Sequence, residues 1–320
     1  MLLVSLFEKL SKVELPVVNH PDYEAKIGDD NKFPIKKFGE LASFLKKEKV
    51  VKKFYKPDPC SVDTLKEVHS EEYIFKIKNK TLEQTLVKKI GFPLVDSVVR
   101  RSLVATGGTV LASKLAINYG IACNTAGGSH HAIYDEGAGF CVFNDVAVAA
   151  KYLLNRGLAN KILIVDLDVH QGNGNSEIFK NENNVFTFSM HTKVNYPPIK
   201  SKSDLDIELE QNMEDDQYLD ILKQNLIFLN DFNFDFVFYI AGVDIHLDDR
   251  LGKLCITDKG INKRDEMVIG NFFKRRVPIC GVLGGGYNKD FKKLIELHAS
   301  LHKNCAKSVS YTHLRAHETR

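Results

Sequence analysis

The sequence predicts an α/β fold: a single domain of three layers, in which a central, mainly parallel β-sheet lies between helices. Three observations lead to this prediction. From Gly120 onward, short apolar runs alternate with helical patterns, as they do in parallel α/β proteins. The run Ile162–Val165 is apolar throughout, which is typical of a strand that a parallel sheet buries on both faces. The 320 residues contain no internal repeat, low-complexity segment or linker, so we expect one domain.

The composition is typical of a soluble globular protein. The chain is 44% hydrophobic and carries 44 basic and 41 acidic residues, a balance that indicates no direct binding to nucleic acid. No stretch approaches the roughly 20 apolar residues of a membrane span, and Met1–Leu10 lacks the basic leader of a secretory signal, so we expect no membrane attachment. The six cysteines show no C-x-x-C spacing. This favours reduced thiols in the cytoplasm, or in the nucleus if the source is eukaryotic.

The predicted strands and helices follow in order along the chain. Strands are predicted at Leu15–Val18, Gly120–Thr125, Lys161–Leu167, Val185–Met190, Asp235–Ala241 and Val277–Leu283. Helices are predicted at Ile35–Lys47, Thr64–Asn79 (two short helices broken near Ser70), Val95–Tyr119, Phe143–Leu154, Gln217–Leu229, Lys259–Arg275 and Asp290–Ala306. The pair Gly107-Gly108 is unfavourable inside a helix, and we expect it to allow close packing on a neighbour. Residues 78–93 have no assigned structure, and a loop is predicted from His191 to about Asp215.

The end of the chain differs from the rest. From about Ser308 to Arg320 the sequence has no periodicity that fits the preceding helix. We expect a read-through tail of non-native origin at 308–320, and we exclude it, together with His313 and His317, from the fold.

Three polar side chains follow the apolar run at alternate positions. In an extended chain, Asp166, Asp168 and His170 would point to the same side. Gly172 and Gly174 then allow the backbone to turn sharply. The alternative is a solvated polar turn, but a turn needs one Asp or Asn rather than this alternation. The pattern therefore favours a metal site.

Polar clusters directly follow four of the predicted strands. The clusters are Gly127–His131, Asp168 with His170, Asp244, and Gly284–Tyr287. In an open parallel sheet, ligands bind beyond the carboxyl ends of the strands. We therefore expect these four strand ends to form one cleft.

The side chains in this cleft have the chemistry of a hydrolase. Asp168, His170 and Asp244 would give a metal three protein ligands and leave a position for water, which is the pattern of catalytic zinc. Fe(II) is also compatible with these ligands. His130 and His131 could move protons near neutral pH, and each needs a partner on its other ring nitrogen. Asp166 and Asn173 are the candidates for those partners.

Tyr287 follows three glycines, which would let the backbone approach a ligand and leave the phenol free to enter the cleft. A phenol can donate to a developing oxyanion. A glycine-rich phosphate loop is the alternative, but the Lys and Ser or Thr of a Walker motif are missing.

These residues resemble the zinc-dependent histone deacetylases of the arginase/deacetylase superfamily, and class IV members and bacterial relatives look most similar. The matching motifs are Gly127-Gly128-x-His130-His131, Gly137-x-Gly139-Phe140-Cys141-x-x-Asn144-Asp145, Asp166-x-Asp168-x-His170-Gln171-Gly172-Asn173-Gly174, Ala241-Gly242-x-Asp244, Asp249-Arg250-Leu251-Gly252 and Gly284-Gly285-Gly286-Tyr287. The segment Ser203–Ile207 adds to the class IV likeness. The resemblance implies an arginase/deacetylase-like fold and a catalytic domain at residues 1–307.

The resemblance also implies a role for each matching residue. Zn²⁺ would be bound by Asp168, His170 and Asp244. His131 would be the general base and then the general acid, with His130 as an electrostatic partner tied to Asp166. Tyr287 would stabilise the oxyanion. Gly139, Phe140 and Tyr196 would line the acyl-lysine channel, and a structural K⁺ would be bound by backbone carbonyls of Asp166, Asp168, His170, Ser189 and Met190. In class I members an Asp stands at the position of Asn173.

The implied activity is hydrolysis of the amide of an Nε-acyl-lysine, acetyl or longer, in a protein or peptide. A small acylamine, such as an acetylpolyamine, is an alternative substrate. An arginase-like ureohydrolase is disfavoured, because it needs a second metal with more carboxylates than Asp244-Ile245-His246 supplies. A silent acyl-lysine binding module is a further alternative, but no catalytic group is missing. The sequence does not give the oligomeric state.

Overall fold

A sheet of seven parallel strands forms the centre of the part of the chain that the structure describes. This computed structural model covers residues 14–28 and 30–318, with residues 311–318 as backbone only; Met1–Leu10 lies outside it. The strands are β1 (Val17–Val18), β2 (Ile121–Asn124), β3 (Ile162–Asp166), β4 (Val185–Thr192), β5 (Leu205–Leu209), β6 (Phe236–Ile240) and β7 (Ile279–Val282). Their order is β1-β2-β7-β6-β3-β4-β5. The predicted α/β class is confirmed, and every strand pair is parallel.

Helices follow most of the strands. They are α1 (Lys37–Lys47), α2 (Val62–Leu65), α3 (Glu71–Asn79), α4 (Gln84–Ile90), α5 (Asp96–Tyr119), α6 (Asp145–Asn155), α7 (Asn173–Phe179), α8 (Asp215–Leu229), α9 (Asp258–Lys274) and α10 (Phe291–Glu318). Every residue of β3 and β6 is buried. Since successive side chains of a strand point to opposite faces, both faces of the sheet are covered, as a three-layer fold requires. No helix in the described ranges is long and apolar enough to cross a membrane.

Local sequence explains where several helices begin and end. The break predicted near Ser70 is present because the Ser70 hydroxyl accepts the Tyr73 N–H and caps α3. Helix α5 ends at Gly120, which has a φ of 80°. Within α5, a Cβ at Gly107 would lie 2.0 Å from the Asp58 carbonyl oxygen. The prediction that the glycine pair allows close packing is therefore confirmed.

Two segments predicted to be irregular form a strand and a helix: one lies in the predicted loop after His191, the other at the predicted sharp turn of Gly172 and Gly174. Residues 205–209 form the edge strand β5, whose acidic and half-exposed residues suggested a loop. Residues 173–179 form α7 although Asn and Gly are poor helix formers. Tertiary contacts support this helix: the Gly174 N–H donates to the His130 carbonyl at 2.8 Å, and the Asn144 amide donates to Asn175 at 2.9 Å. The unassigned stretch 78–93 contains α4.

The last helix is longer than predicted. Helix α10 continues from Phe291 to Glu318, past the predicted end at Ala306. No Gly or Pro interrupts these residues, so the backbone has no reason to leave the helical conformation. The boundary at 307 and the non-native origin of residues 308–320 stay predictions.

Candidate active site

The four polar clusters meet in one cleft at the carboxyl ends of the central strands. A cavity of about 40 Å³ lies there. Three of the four strand-end clusters contribute to its lining, and so does the first third of the chain. The fourth cluster, Asp244, contacts His170, which is one of the lining residues. The lining residues are Phe33, Phe38, Arg101, Gly127, Gly128, Ser129, His130, His131, Gly139, Phe140, Cys141, Asp168, His170, Gly284, Gly285 and Tyr287.

Asp168, His170 and Asp244 form a buried cluster whose possible ligand atoms lie within 4.8 Å of one another. The Nδ1 atom of His170 lies 3.0 Å from Asp168 Oδ1 and 3.2 Å from Asp244 Oδ2. Backbone N–H groups orient the carboxylates: Gly285 donates to Asp168 Oδ2 at 2.6 Å, and Val169 donates to Asp244 Oδ1 at 2.9 Å. The structure thus provides a potential metal site at the predicted residues.

The charges of this cluster favour a cation. Burial alone would lower the pKa of His170, but Asp168 and Asp244 outweigh it and raise the pKa to about 10. Burial and the neighbouring Asp168 carboxylate raise the pKa of Asp244 to about 7. The buried carboxylates of Asp168 and Asp244, whose possible ligand atoms lie within 4.8 Å of each other, repel each other. A bound divalent cation would therefore stabilise both. Imidazole nitrogen and carboxylate oxygen are ligands that zinc accepts.

Glycines allow neighbouring backbone to approach the two carboxylates. A Cβ at Gly242 would lie 2.4 Å from Asp168 Oδ2, and a Cβ at Gly285 would lie 2.0 Å from Asp244 Oδ2. Gly285, one of the three glycines before Tyr287, therefore makes room for the Asp244 carboxylate, and Gly242 makes room for that of Asp168. Any side chain at these two positions would displace them.

The two adjacent histidines have different partners. His130 Nδ1 lies 2.7 Å from Asp166 Oδ2, and His131 Nδ1 lies 2.7 Å from the Asn173 side-chain oxygen. Burial alone would lower the pKa of His130, but Asp166 and Asp168 raise it to about 9. Burial and the neighbouring histidines hold the pKa of His131 well below its usual range. At neutral pH His130 therefore carries the positive charge and His131 is neutral. Because Nδ1 of His131 faces Asn173, its Nε2 atom is left as a proton acceptor.

Two side chains fix the backbone of Tyr287, one at its N–H and one at its carbonyl. Its N–H donates to Asp249 Oδ2 at 2.6 Å, and its carbonyl accepts the Arg250 Nε–H at 2.7 Å. The side chain is 6% exposed and lines the cavity. Burial and the carboxylates of Asp244 and Asp168 raise the pKa of the phenol, which therefore keeps its proton as a donor.

Aromatic and glycine residues form the walls beside the histidine pair. The Tyr196 ring meets the His131 ring edge-on, with centroids 4.8 Å apart. Gly139 has a φ of 53°, and a Cβ there would lie 2.6 Å from a ring carbon of His131. The Phe140 ring lies 5.9 Å from that of Tyr287. The predicted channel residues thus surround the predicted base and oxyanion donor.

The residues predicted to bind potassium belong to two adjacent strands: Asp166 ends β3, Asp168 and His170 follow it, and Ser189 and Met190 lie within β4. Asp166 on β3 is the register partner of Ser189 on β4. The Ser189 hydroxyl pairs with His191 Nδ1 at 2.9 Å. Potassium binding at this position stays a prediction.

Sequence reasoning missed several buried residues beside the site. Phe33 packs against Phe140, with ring centroids 5.2 Å apart. Lys37 is fully buried, and its ammonium donates to the Gly284 carbonyl at 3.3 Å. Burial lowers the pKa of Lys37 to about 8. Arg101 lines the cavity. In the sequence, such cations on helices look like solvated surface residues, and nothing local distinguishes them.

Comparisons with known proteins agree with this fold. An uncharacterized protein of Picosynechococcus sp. is 44% identical over 291 residues, 90% of this chain and 97% of that protein. Histone deacetylase 2 of Arabidopsis thaliana is 30% identical over 82% of this chain and 71% of its own length. The crystal structure of an HDAC homolog complexed with SAHA has a TM-score of 0.77 at 24% identity and covers 93% of this chain and 84% of that one. The likeness to this solved structure shows an arginase/deacetylase-like fold.

The sequence model described as the histone deacetylase domain matches residues 32–301. This match includes each predicted ligand, both histidines of the pair and Tyr287. The chain therefore belongs to the histone deacetylase domain family, a family of deacetylase-type hydrolases.

Proposed function

We propose that this protein is a zinc-dependent amidohydrolase that removes acyl groups, acetyl or longer, from the Nε-amine of lysine in proteins or peptides. One observation carries the proposal. Asp168 and His170 of the potential metal site line one cavity together with the neutral His131 and the protonated Tyr287. Phe140 also lines this cavity, and the Tyr196 ring contacts that of His131.

Asp168, His170 and Asp244 would hold the zinc ion. Three protein ligands that leave a position open are the arrangement of catalytic zinc sites. When bound, zinc would lower the pKa of a water molecule towards about 7 and polarise the amide carbonyl.

His131 would accept the proton of the attacking water at Nε2, because its Nδ1 atom is occupied by Asn173. Its low pKa keeps this imidazole neutral and ready to act as a base. The same nitrogen would then return the proton to the leaving lysine amine. His130 would stay protonated beside Asp166 and act as an electrostatic partner.

The Tyr287 hydroxyl would donate a hydrogen bond to the oxyanion that develops from the amide carbonyl. Its backbone contacts with Asp249 and Arg250 would keep the phenol in place. Phe140 and Tyr196 would flank the aliphatic part of the lysine side chain, and Gly139 would leave room for it. A structural K⁺ at Asp166, Asp168, His170, Ser189 and Met190 belongs to the same proposal, as do class IV membership and cytoplasmic location.

Deacylation of matched peptides would test this function. The protein would be assayed on Nε-acetyl-lysine and Nε-myristoyl-lysine peptides of one sequence, with free amine as the readout and the metal content measured on the same sample. We expect turnover that a chelator abolishes and Zn²⁺ restores. Turnover of an acetylpolyamine but of neither peptide would identify the small-acylamine alternative. Bound zinc without turnover of any of the three would contradict the proposal and favour a binding module.

A further inference from the structure

Arg264 on α9 reaches the ends of both strands that lead to the acidic ligands. It is fully buried. Its Nη1 donates to the Gly242 carbonyl at 2.5 Å and to the Leu167 carbonyl at 3.4 Å. Leu167 directly precedes Asp168, and Gly242 stands two residues before Asp244. One guanidinium therefore contacts the backbone next to both carboxylates.

The position of this contact continues the strand pairing. Strands β3 and β6 are neighbours in register up to Asp166 and Ile240. Beyond them, the Leu167 N–H donates to the Ile240 carbonyl at 3.1 Å. Beyond this hydrogen bond the segments that follow β3 and β6 no longer pair as strands. The Arg264 side chain bridges these two segments instead.

Asp265 and Tyr239 fix the orientation of the guanidinium. Arg264 donates to Asp265 Oδ1 through Nε at 3.0 Å and Nη2 at 2.8 Å, and the Tyr239 hydroxyl donates to the same oxygen at 2.6 Å. Asp265 is also fully buried. A buried ion pair is weak evidence for stability, because desolvation of the two charges offsets their attraction. Its distinctive feature here is the geometry that it imposes on the two strand ends.

We propose that Arg264 is a positioning residue that sets the spacing between the Asp168 and Asp244 carboxylates and so strengthens metal binding. The inference rests on the metal site of the proposed function. An arginine suits this role because its planar group can bind a carboxylate on one edge and carbonyl oxygens on the other. A lysine at this position would keep the charge beside Asp265 but could not span the same set of partners.

The test is Co²⁺ binding by the metal-free protein and by Arg264→Lys, with the dissociation constant and the d–d absorption spectrum as readouts. Loss of a residue that orients metal ligands typically weakens metal affinity about 10- to 100-fold, and we expect a change of this size together with an altered spectrum. The matched control is Val268→Ala, one turn further along α9 and fully buried. This control should lower the melting temperature while leaving the cobalt affinity and spectrum unchanged.

The outcomes separate this inference from the proposed function. A wild-type protein that binds neither Co²⁺ nor Zn²⁺ would contradict the proposed function itself. Wild-type binding together with R264K affinity within twofold of it and an unchanged spectrum would overturn the positioning role. If R264K does not fold, Arg264→Met takes its place with the same expected loss. Failure of both to fold would also overturn the inference and assign Arg264 to the stability of the core.

Discussion

His131 Nδ1 lies 2.7 Å from the neutral side-chain oxygen of Asn173, whereas the adjacent His130 Nδ1 lies 2.7 Å from a carboxylate oxygen of Asp166. Both imidazoles are buried, and their ring centroids lie 4.1 Å apart. Their pKa values nevertheless move in opposite directions. A carboxylate stabilises an imidazolium far more than an amide does, so the choice of partner separates the charged histidine from the neutral one.

The first prediction concerns Asn173→Asp. A carboxylate beside His131 would raise the pKa of this imidazole. Because the general base must be neutral, the acidic limb of the kcat/KM profile should move to higher pH, and activity near pH 6 should fall relative to pH 8. Asn183→Asp adds the same charge at an exposed position and serves as the control. An N173D profile that coincides with the wild-type profile would exclude His131 as the base that limits activity at low pH.

Much of the site was predictable because its residues follow strands in short, unusual patterns. The alternation of Asp166, Asp168 and His170 is visible from strand geometry alone, and the parallel sheet explains why Asp244 joins them. Arg264 could not be predicted this way. At the two strand ends it contacts the backbone carbonyls of Leu167 and Gly242, and such contacts leave no trace in the sequence.

The errors at the segments now seen as α7 and β5 also arose because the deciding contacts are distant in sequence. Helix α7 forms from poor helix formers because contacts with the loop at His130 and with Asn144 support it. Among the described residues, strand β5 is at the edge of the sheet and pairs with β4 alone, so its polar residues resemble those of a loop. In both cases tertiary contacts outweigh local propensity.

The second prediction concerns Tyr287→Phe, which removes the hydroxyl and keeps the ring. Loss of one oxyanion donor typically lowers kcat about 100- to 1,000-fold. We expect a loss of this size with little change in KM, since the phenol contributes mainly in the transition state. Steady-state kinetics on the acetyl-lysine peptide, with metal content measured, would check it. Turnover near that of the wild type would remove Tyr287 from the mechanism.

The third prediction concerns Arg250, whose Nε–H holds the Tyr287 carbonyl and whose Nη2 reaches the Lys32 carbonyl at 3.1 Å. Arg250→Ala should let the Tyr287 backbone move, and small misplacements of a catalytic group can cost up to about 100-fold in rate. We expect kcat to fall by about 10- to 100-fold in R250A while metal content stays the same. The double variant R250A/Y287F should be little slower than Y287F alone, because Arg250 acts through the phenol. Fully multiplicative losses would show an independent role for Arg250.

The fourth prediction concerns Gln171, which anchors the segment that follows Tyr196. Its amide donates to the Ser201 carbonyl at 2.7 Å and to Asp206 at 2.9 Å, and its oxygen accepts the Ser201 N–H at 2.8 Å. In Gln171→Glu the donor is lost and a second carboxylate faces Asp206. An unsatisfied buried polar group costs about 1–3 kcal/mol, and about 1.4 kcal/mol corresponds to a tenfold change in binding.

We therefore expect KM for the acyl-lysine peptide to rise about tenfold in Q171E, with zinc content unchanged. Limited trypsin cleavage at Lys193 or Lys200 should also become faster. Exposed Gln211 offers the matched control Gln211→Glu. If KM and cleavage rate stay at wild-type values in Q171E, Gln171 does not hold the wall that carries Tyr196.

The fifth prediction concerns stability at acidic pH. His69 is buried, and both of its ring nitrogens are engaged: Nδ1 donates to the Ile133 carbonyl at 2.8 Å, and Nε2 accepts the Asn144 N–H at 3.0 Å. A second proton on this ring would face the Asn144 N–H. Burial lowers the pKa of His69 from 6.5 to about 4, so the unfolded chain binds a proton more readily than the folded protein.

Stability linked to His69 is therefore fully present above pH 6.5 and is lost as the pH falls from 6.5 through 4. At pH 5 the loss should be about 2 kcal/mol relative to pH 7.5. Urea unfolding of the wild type and of His69→Gln at both pH values would measure it. H69Q should be less stable at pH 7.5, because glutamine cannot reproduce both contacts, yet it should lose about 2 kcal/mol less than the wild type on acidification. The other buried histidines contribute equally to both proteins, so an identical acid-induced loss would show that His69 is not kept neutral by the fold.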